Sequence, residues 1–336
     1  MLKRSLLTLA VLAPFAWVLP AADENKPPQG AEPGAGAVIT PRSRTAPTPE
    51  SIIDRRSEIR VDKQLVLVPV AVTTPSGQYV TGLDKENFKL FENNVEQEIE
   101  TFSSEDAPMS VGIVFDTSGS MGNKLQRSRQ AVAEFLKSAN PQDEFLLVQF
   151  NDQAELTVPF TPDTEDVQNR LMFVQSKGRT ALLDGVYMAM NEMKKAHNPR
   201  KAILIISDGG DNSSRYTQSE VRNFVREADV QIYAIGIFEP VGARGRTPEE
   251  FDGPDLLRDL TEQTGGRDFE VDNIAEMPDV AAKIGLELRN QYLLGYSPKN
   301  KERDGKFRRI QVKLVKTKEL GQISPRWRLG YYAPSQ

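Results

Sequence analysis

Two unbroken apolar runs, VGIVFD at Val111–Asp116 and KAILIIS at Lys201–Ser207, constrain this chain more than anything else in it. A strand with no polar side has both faces covered, which is the condition of a central strand in a parallel sheet flanked by helices. The intervening segments carry the matching helical period. Leu125, Val132, Phe135 and Leu136 line one face, and Leu183, Val186, Met190 and Met193 line another. EFLLVQFN and AELTVPF read as two strands close enough to pair antiparallel, and Met172 falls in a short helix after Asp166. TQSEVRNFVREA opens with a capping box, Thr217 and Glu220, before Val221, Phe224, Val225 and Ala228. VQIYAIGIF is a further strand, Gly265-Gly266 ends the helix marked by Leu256, Leu257 and Leu260, and RDFEV precedes a last helix through Met277, Ile284 and Leu288. The alternation predicts an α/β fold over 108–298, a doubly wound, mostly parallel sheet between two helical layers.

The flanks are different. Residues 56–107 read as β: LVLVPVAV alternates, PSGQ turns, and FKLFENNVEQEIETF forms a hairpin around Asn93-Asn94, residues that tolerate positive φ. Residues 299–336 read the same way, with FRRIQVKLV and then a strand from Trp327 in WRLGYYAP. Each set is too small for a core of its own, so a small all-β flanking domain completed across the α/β part is expected, with two separate β appendages as the alternative. Residues 1–22 have the layout of a secretory signal peptide: Lys3 and Arg4, an apolar run to Leu19, then Ala21-Ala22. As a membrane anchor the run is short and broken by Pro14. Residues 23–55, rich in Pro, Gly and Ala, read as a disordered linker. The expectation is an exported protein, periplasmic or secreted, with no membrane span in the mature chain.

Composition narrows the chemistry. A net charge of −5 argues against a nucleic-acid partner. With no cysteine there is no lipid-modified cysteine, disulfide or thiolate metal site, and a single histidine, His197, excludes a multi-histidine centre. A metal here is a hard cation held by oxygen: Mg²⁺, Mn²⁺ or Ca²⁺.

Such oxygens exist. The strand VGIVFD ends in Asp116-Thr-Ser118-Gly-Ser120, KAILIIS ends in Ser207-Asp208-Gly-Gly-Asp211, and Thr180 precedes a helix between them. In a doubly wound sheet, ligands bind beyond the carboxyl ends of the strands, where connections diverge. Two serines one residue apart on a loop with Gly119 can face one point, Thr180 adds a third hydroxyl, and Asp116 and Asp208 balance a dication. Neutral hydroxyls leave the ion electrophilic, so an Asp or Glu of a protein partner can take a position otherwise held by water.

DTSGS, Thr180 and SDG resemble the metal-ion-dependent adhesion site of von Willebrand factor A domains, position for position at Asp116, Ser118, Ser120, Thr180 and Asp208. The resemblance covers about 110–298. The flanks, with YVTGLDKENFKLFENN, YLLGYSPKN and GYYAP, resemble exported bacterial proteins related to that family. It implies a Rossmann-like sheet with one antiparallel edge strand and a non-catalytic module that binds protein ligands through the metal. Asp184, Asp211 and Asn212 are candidates to support the ligands.

Plainer roles stand beside these. Ser118 and Ser120 could cap the following helix, Asp211 could serve only its turn, and Arg244 and Arg246 sit in a loop that is solvated by default. His197 reads as a solvated residue at a helix end, on the order of 20 Å from the serines by strand length, too far to be a hydrolase base. The alternative function is a Mg²⁺-dependent hydrolase or phosphatase with Asp116 as nucleophile. Against it, the loop offers no lysine for a phosphate, and Ser118 holds the second acidic position.

Overall fold

Burial of every residue from Met109 to Asp116 places that strand at the centre of a sheet with side chains packed on both faces. The computed structural model describes residues 65–238, 248–315 and 322–335. The expected signal peptide and linker, and Arg244 and Arg246, lie outside them. In chain order come β1 (Val66–Thr73), β2 (Phe88–Glu92), β3 (Val95–Gln97) and β4 (Thr101–Ser103). The α/β part follows with β5 (Met109–Asp116), α1 (Leu125–Leu136), β6 (Glu144–Phe150), β7 (Ala154–Thr161), α2 (Thr164–Met172) and α3 (Leu182–Glu192). It continues through β8 (Arg200–Ser207), α4 (Gln218–Glu227), β9 (Gln231–Ile237), α5 (Pro248–Thr261), β10 (Asp268–Val271) and α6 (Met277–Arg289). Four strands close the chain: β11 (Tyr292–Tyr296), β12 (Phe307–Leu314), β13 (Ser324–Trp327) and β14 (Gly330–Tyr332).

The central sheet has the order β10-β9-β8-β5-β6-β7 among the described residues. Its pairs are parallel except β6–β7, whose antiparallel partner lies at the edge. Met109, Val111, Ile113 and Phe115 of β5 pack with α1, α2 and α6 on one face. Val114, with Ile203 and Ile205 of β8, packs with α3, α4 and α5 on the other. Because β5 and β8 are neighbours and send their following helices to opposite faces, a topological switch point lies beyond their carboxyl ends. That geometry places the loops after Asp116 and Ser207 side by side.

The remaining strands form two four-stranded sheets, β13-β1-β11-β4 and β14-β12-β2-β3. They share one core that includes Val68, Val70, Leu90, Leu294, Tyr296 and Val312. Asn93 and Asn94, at φ 47° and 67°, make the hairpin turn between β2 and β3. Two details differ from the sequence reading. Tyr292–Tyr296 falls before the boundary drawn at 298, yet it pairs with β1 in the register Val66↔Tyr296 and belongs to the flanking sheets. The strand expected from Trp327 divides at Arg328-Leu329 into β13 and β14, which lie in different sheets. The close approach of the Gly265 turn enforces the break: a Cβ there would lie 2.5 Å from the Arg328 nitrogen.

A buried polar cluster ties the two parts. Glu287 of α6 is fully buried and accepts from the Tyr233 hydroxyl at 3.0 Å. It also meets Arg267 at 2.9 Å and Arg326, on β13, at 3.2 Å.

Candidate metal centre

The first candidate ligand sits where β5 ends. Asp116 is fully buried, and its Oδ1 accepts from the Ser118 amide at 2.8 Å while Oδ2 accepts from the Ser207 hydroxyl at 2.6 Å. Ser118 and Ser120 face each other with Oγ atoms 3.0 Å apart. Ser118 begins a short 3-10 turn but its side chain makes no capping bond, so capping does not account for the hydroxyl. α1 itself starts later, with Lys124 at its N-cap.

Backbone bonds stitch the three loops together. The Gly119 amide donates to the Gly178 carbonyl at 3.0 Å, and the Lys177 amide to the Thr117 carbonyl at 2.9 Å. Thr180 donates through its amide to Asn212 Oδ1 at 3.0 Å, and its carbonyl accepts from the Asn212 and Ser213 amides, both at 3.0 Å. Asn212 therefore holds Thr180, which is buried, against the loop that carries Asp208. Asp211 and Asp184 act one step further out. Asp211 Oδ2 accepts from the Leu183 amide at 2.9 Å, which satisfies an orphan donor at the start of α3, and from Ser214 Oγ at 2.6 Å. Asp184 accepts from the Arg215 and Tyr216 amides and pairs with the Arg215 side chain.

Two residues carry roles that the sequence reading did not assign. Ser207 is one, bridging Asp116 Oδ2 and the Gly209 amide. Lys124 is the other, and it corrects the statement that no lysine serves this loop: its ammonium lies 3.1 Å from Asp208 Oδ2, with both side chains buried. A cation at the positive end of a helix dipole was the available signal, because such a residue needs a carboxylate elsewhere.

Among the described residues no group of three or more His, Asp or Glu is assembled, so any ion here depends on two carboxylates and hydroxyls. That donor set suits a hard divalent cation. Asp208 Oδ1 is buried without a hydrogen-bond partner, an expensive state for a carboxylate oxygen and a lone pair free for an ion or its water. Burial, and then the neighbouring Asp208 charge, push the Asp116 carboxyl up to about 7 from an ordinary 3.8. The residues fit the metal.

The raised value predicts a pH dependence. In chelator, folded Asp116 retains a proton that the unfolded chain has lost, so stability falls as pH rises from about 5 to 7.5. At roughly 1.4 kcal/mol per pKa unit the loss is about 2–3 kcal/mol. Saturating Mg²⁺, which favours the ionised form, should remove the fall. Chemical denaturation at several pH values, with and without Mg²⁺, checks it.

His197 lies at the other end of the sheet, exposed, with Nδ1 2.8 Å from a carboxylate oxygen of Glu144, the first residue of β6. The helix end is therefore not its main partner. Among the described residues, no helix is long and apolar enough to cross a membrane.

Parts of known proteins are similar to the α/β part. An uncharacterised protein of Borreliella burgdorferi is 27% identical over 188 residues, covering 50% of this chain and 55% of its own. Inter-alpha-trypsin inhibitor heavy chain H4 of Sus scrofa is 29% identical over 132 residues, 36% of this chain and 14% of that one. The chain thus spans about half the length of the first relative and a small part of the second. A solved von Willebrand factor type A structure from Catenulispora acidiphila superposes with a TM-score of 0.47 at 12% identity, over 80% of this chain and 72% of that one. The family model for the von Willebrand factor type A domain matches residues 111–210, from the apolar start of β5 to the glycines after Asp208.

Proposed function

We propose that this chain is an exported, non-catalytic interaction module that docks an Asp or Glu of a protein partner through a divalent cation, Mg²⁺, Mn²⁺ or Ca²⁺. Asp116, Ser118, Ser120, Thr180 and Asp208 would hold the ion, which when bound supplies an electrophilic position for the partner's carboxylate. The observation that carries this reading is the buried, unpartnered Asp208 Oδ1, on a loop whose preceding residue, Ser207, hydrogen-bonds Asp116. The chain's own groups do the positioning. Ser207 and the Ser118 amide orient Asp116, Asn212 seats Thr180, and Asp211 fixes the loop after Asp208 against α3.

The von Willebrand factor type A match and the apolar, charged N-terminus support an exported binding role. The phosphatase alternative gains from Lys124 beside Asp208 but loses on Asp116. A nucleophilic carboxylate needs an accessible oxygen, and here the residue is fully buried with both oxygens engaged. The two readings separate in one experiment. A pull-down from the native envelope fraction should recover a partner in Mg²⁺ and lose it in excess chelator. Equal recovery in chelator would sink the docking mechanism. Mg²⁺-dependent turnover of a generic phosphate ester, lost in Asp116→Ala, would favour the enzyme.

A further inference from the structure

Lys124 is the feature of this centre that metal docking does not by itself require. It is only 6% exposed, at the N-terminal end of α1, where the helix dipole is positive and the first turn holds no acid. Dehydrating an ammonium in such a place costs several kcal/mol unless a carboxylate meets it. Asp208 does so, through Oδ2 at 3.1 Å, while Oδ1 stays unpartnered. One carboxylate would have been enough for the lysine. Yet Asp116 ends the neighbouring strand, paired in register with β8, and bonds to Ser207, the residue before Asp208.

The fixed charges therefore number two carboxylates and one ammonium. With a dication bound, three positive charges oppose two negative ones. A centre made of the same five ligands without the lysine would be neutral when loaded.

We infer that Lys124 is a built-in counter-charge: it weakens the hold on the cation and leaves the loaded centre one positive charge in excess, which a carboxylate of the partner cancels. The inference rests on the metal-docking reading above. It gives the lysine effects of opposite sign on two binding steps. A lysine that merely props Asp208 would not do that, since losing a prop weakens both.

The test uses the full chain, with Mn²⁺ alone as the metal probe and glutarate as the carboxylate probe, followed by calorimetry. Lys124→Met is expected to bind Mn²⁺ about tenfold more tightly, because a charge that repels the cation is gone, and, once saturated, to bind glutarate about tenfold more weakly, because the same charge no longer attracts the carboxylate. Lys124→Arg, which keeps the charge, is expected to stay within about threefold of the wild type in both steps. Unchanged or weaker Mn²⁺ binding by Lys124→Met overturns the inference, as does unchanged glutarate binding, and both leave metal docking intact. A wild type that binds no Mn²⁺ overturns the docking reading and this inference together. Should Lys124→Met unfold without metal, the Mn²⁺ concentration that restores its melting transition decides. A lower requirement than the wild type's half-saturation supports the counter-charge, and a higher one overturns it.

Discussion

Asp116→Ala is expected to lose more than about a hundredfold in Mg²⁺ affinity, and metal-dependent partner capture with it, while the domain still folds. Asp116 is fully buried, so its removal strands the Ser118 amide and the Ser207 hydroxyl, at roughly 1–3 kcal/mol. Relief of the Asp116–Asp208 repulsion offsets part of that cost. The variant should therefore melt only a few degrees lower in chelator and show no further rise on adding Mg²⁺. A melting temperature that still climbs with Mg²⁺, or Mg²⁺ affinity within tenfold of the wild type, would count against Asp116 as a ligand.

The largest stability effect is expected far from the metal centre, at Glu287→Ala. This glutamate is fully buried and faces Arg267, Arg326 and the Tyr233 hydroxyl. Taking away one member of a buried ionic cluster leaves the others uncompensated, typically at 3–5 kcal/mol. Arg267 and Arg326 are partly exposed and can recover some hydration, so about 3 kcal/mol is expected. Because Arg326 lies on β13, the loss should also loosen the flanking sheets from α6. Denaturant melts monitored at Trp327 and by overall circular dichroism check both points. A change under 1 kcal/mol, or unaltered cooperativity with a shift at neither probe, would show that the cluster is not a tie.

The central sheet was legible because its signal is local. Lys201–Ser207 has no polar side, Thr217 and Glu220 cap their helix reciprocally, and Asn93-Asn94 adopt the positive φ that a tight hairpin demands. Each of these follows from side-chain periodicity or backbone sterics within a few residues. Ser118, Ser120, Thr180 and Asp208 could be proposed together because a hard cation needs oxygen donors and few other clusters of them end apolar strands. The path of the closing strands was not legible in the same way. WRLGYYAP alternates as one strand, and only contact with the Gly265 turn, more than sixty residues earlier in the chain, divides it between two sheets.

Lys124 marks the same limit at the centre itself. By sequence it is one of many charged residues at the start of a helix. Its burial against Asp208 depends on β5 and β8 lying side by side, which brings together residues 84 positions apart. What the sequence alone determined was the set of elements and the kinds of atoms at their ends, since periodicity, capping and donor chemistry act over short range. What only the tertiary structure decided was the charge balance among those atoms, because electrostatic energy depends on distance and burial, and both are set by which strands become neighbours.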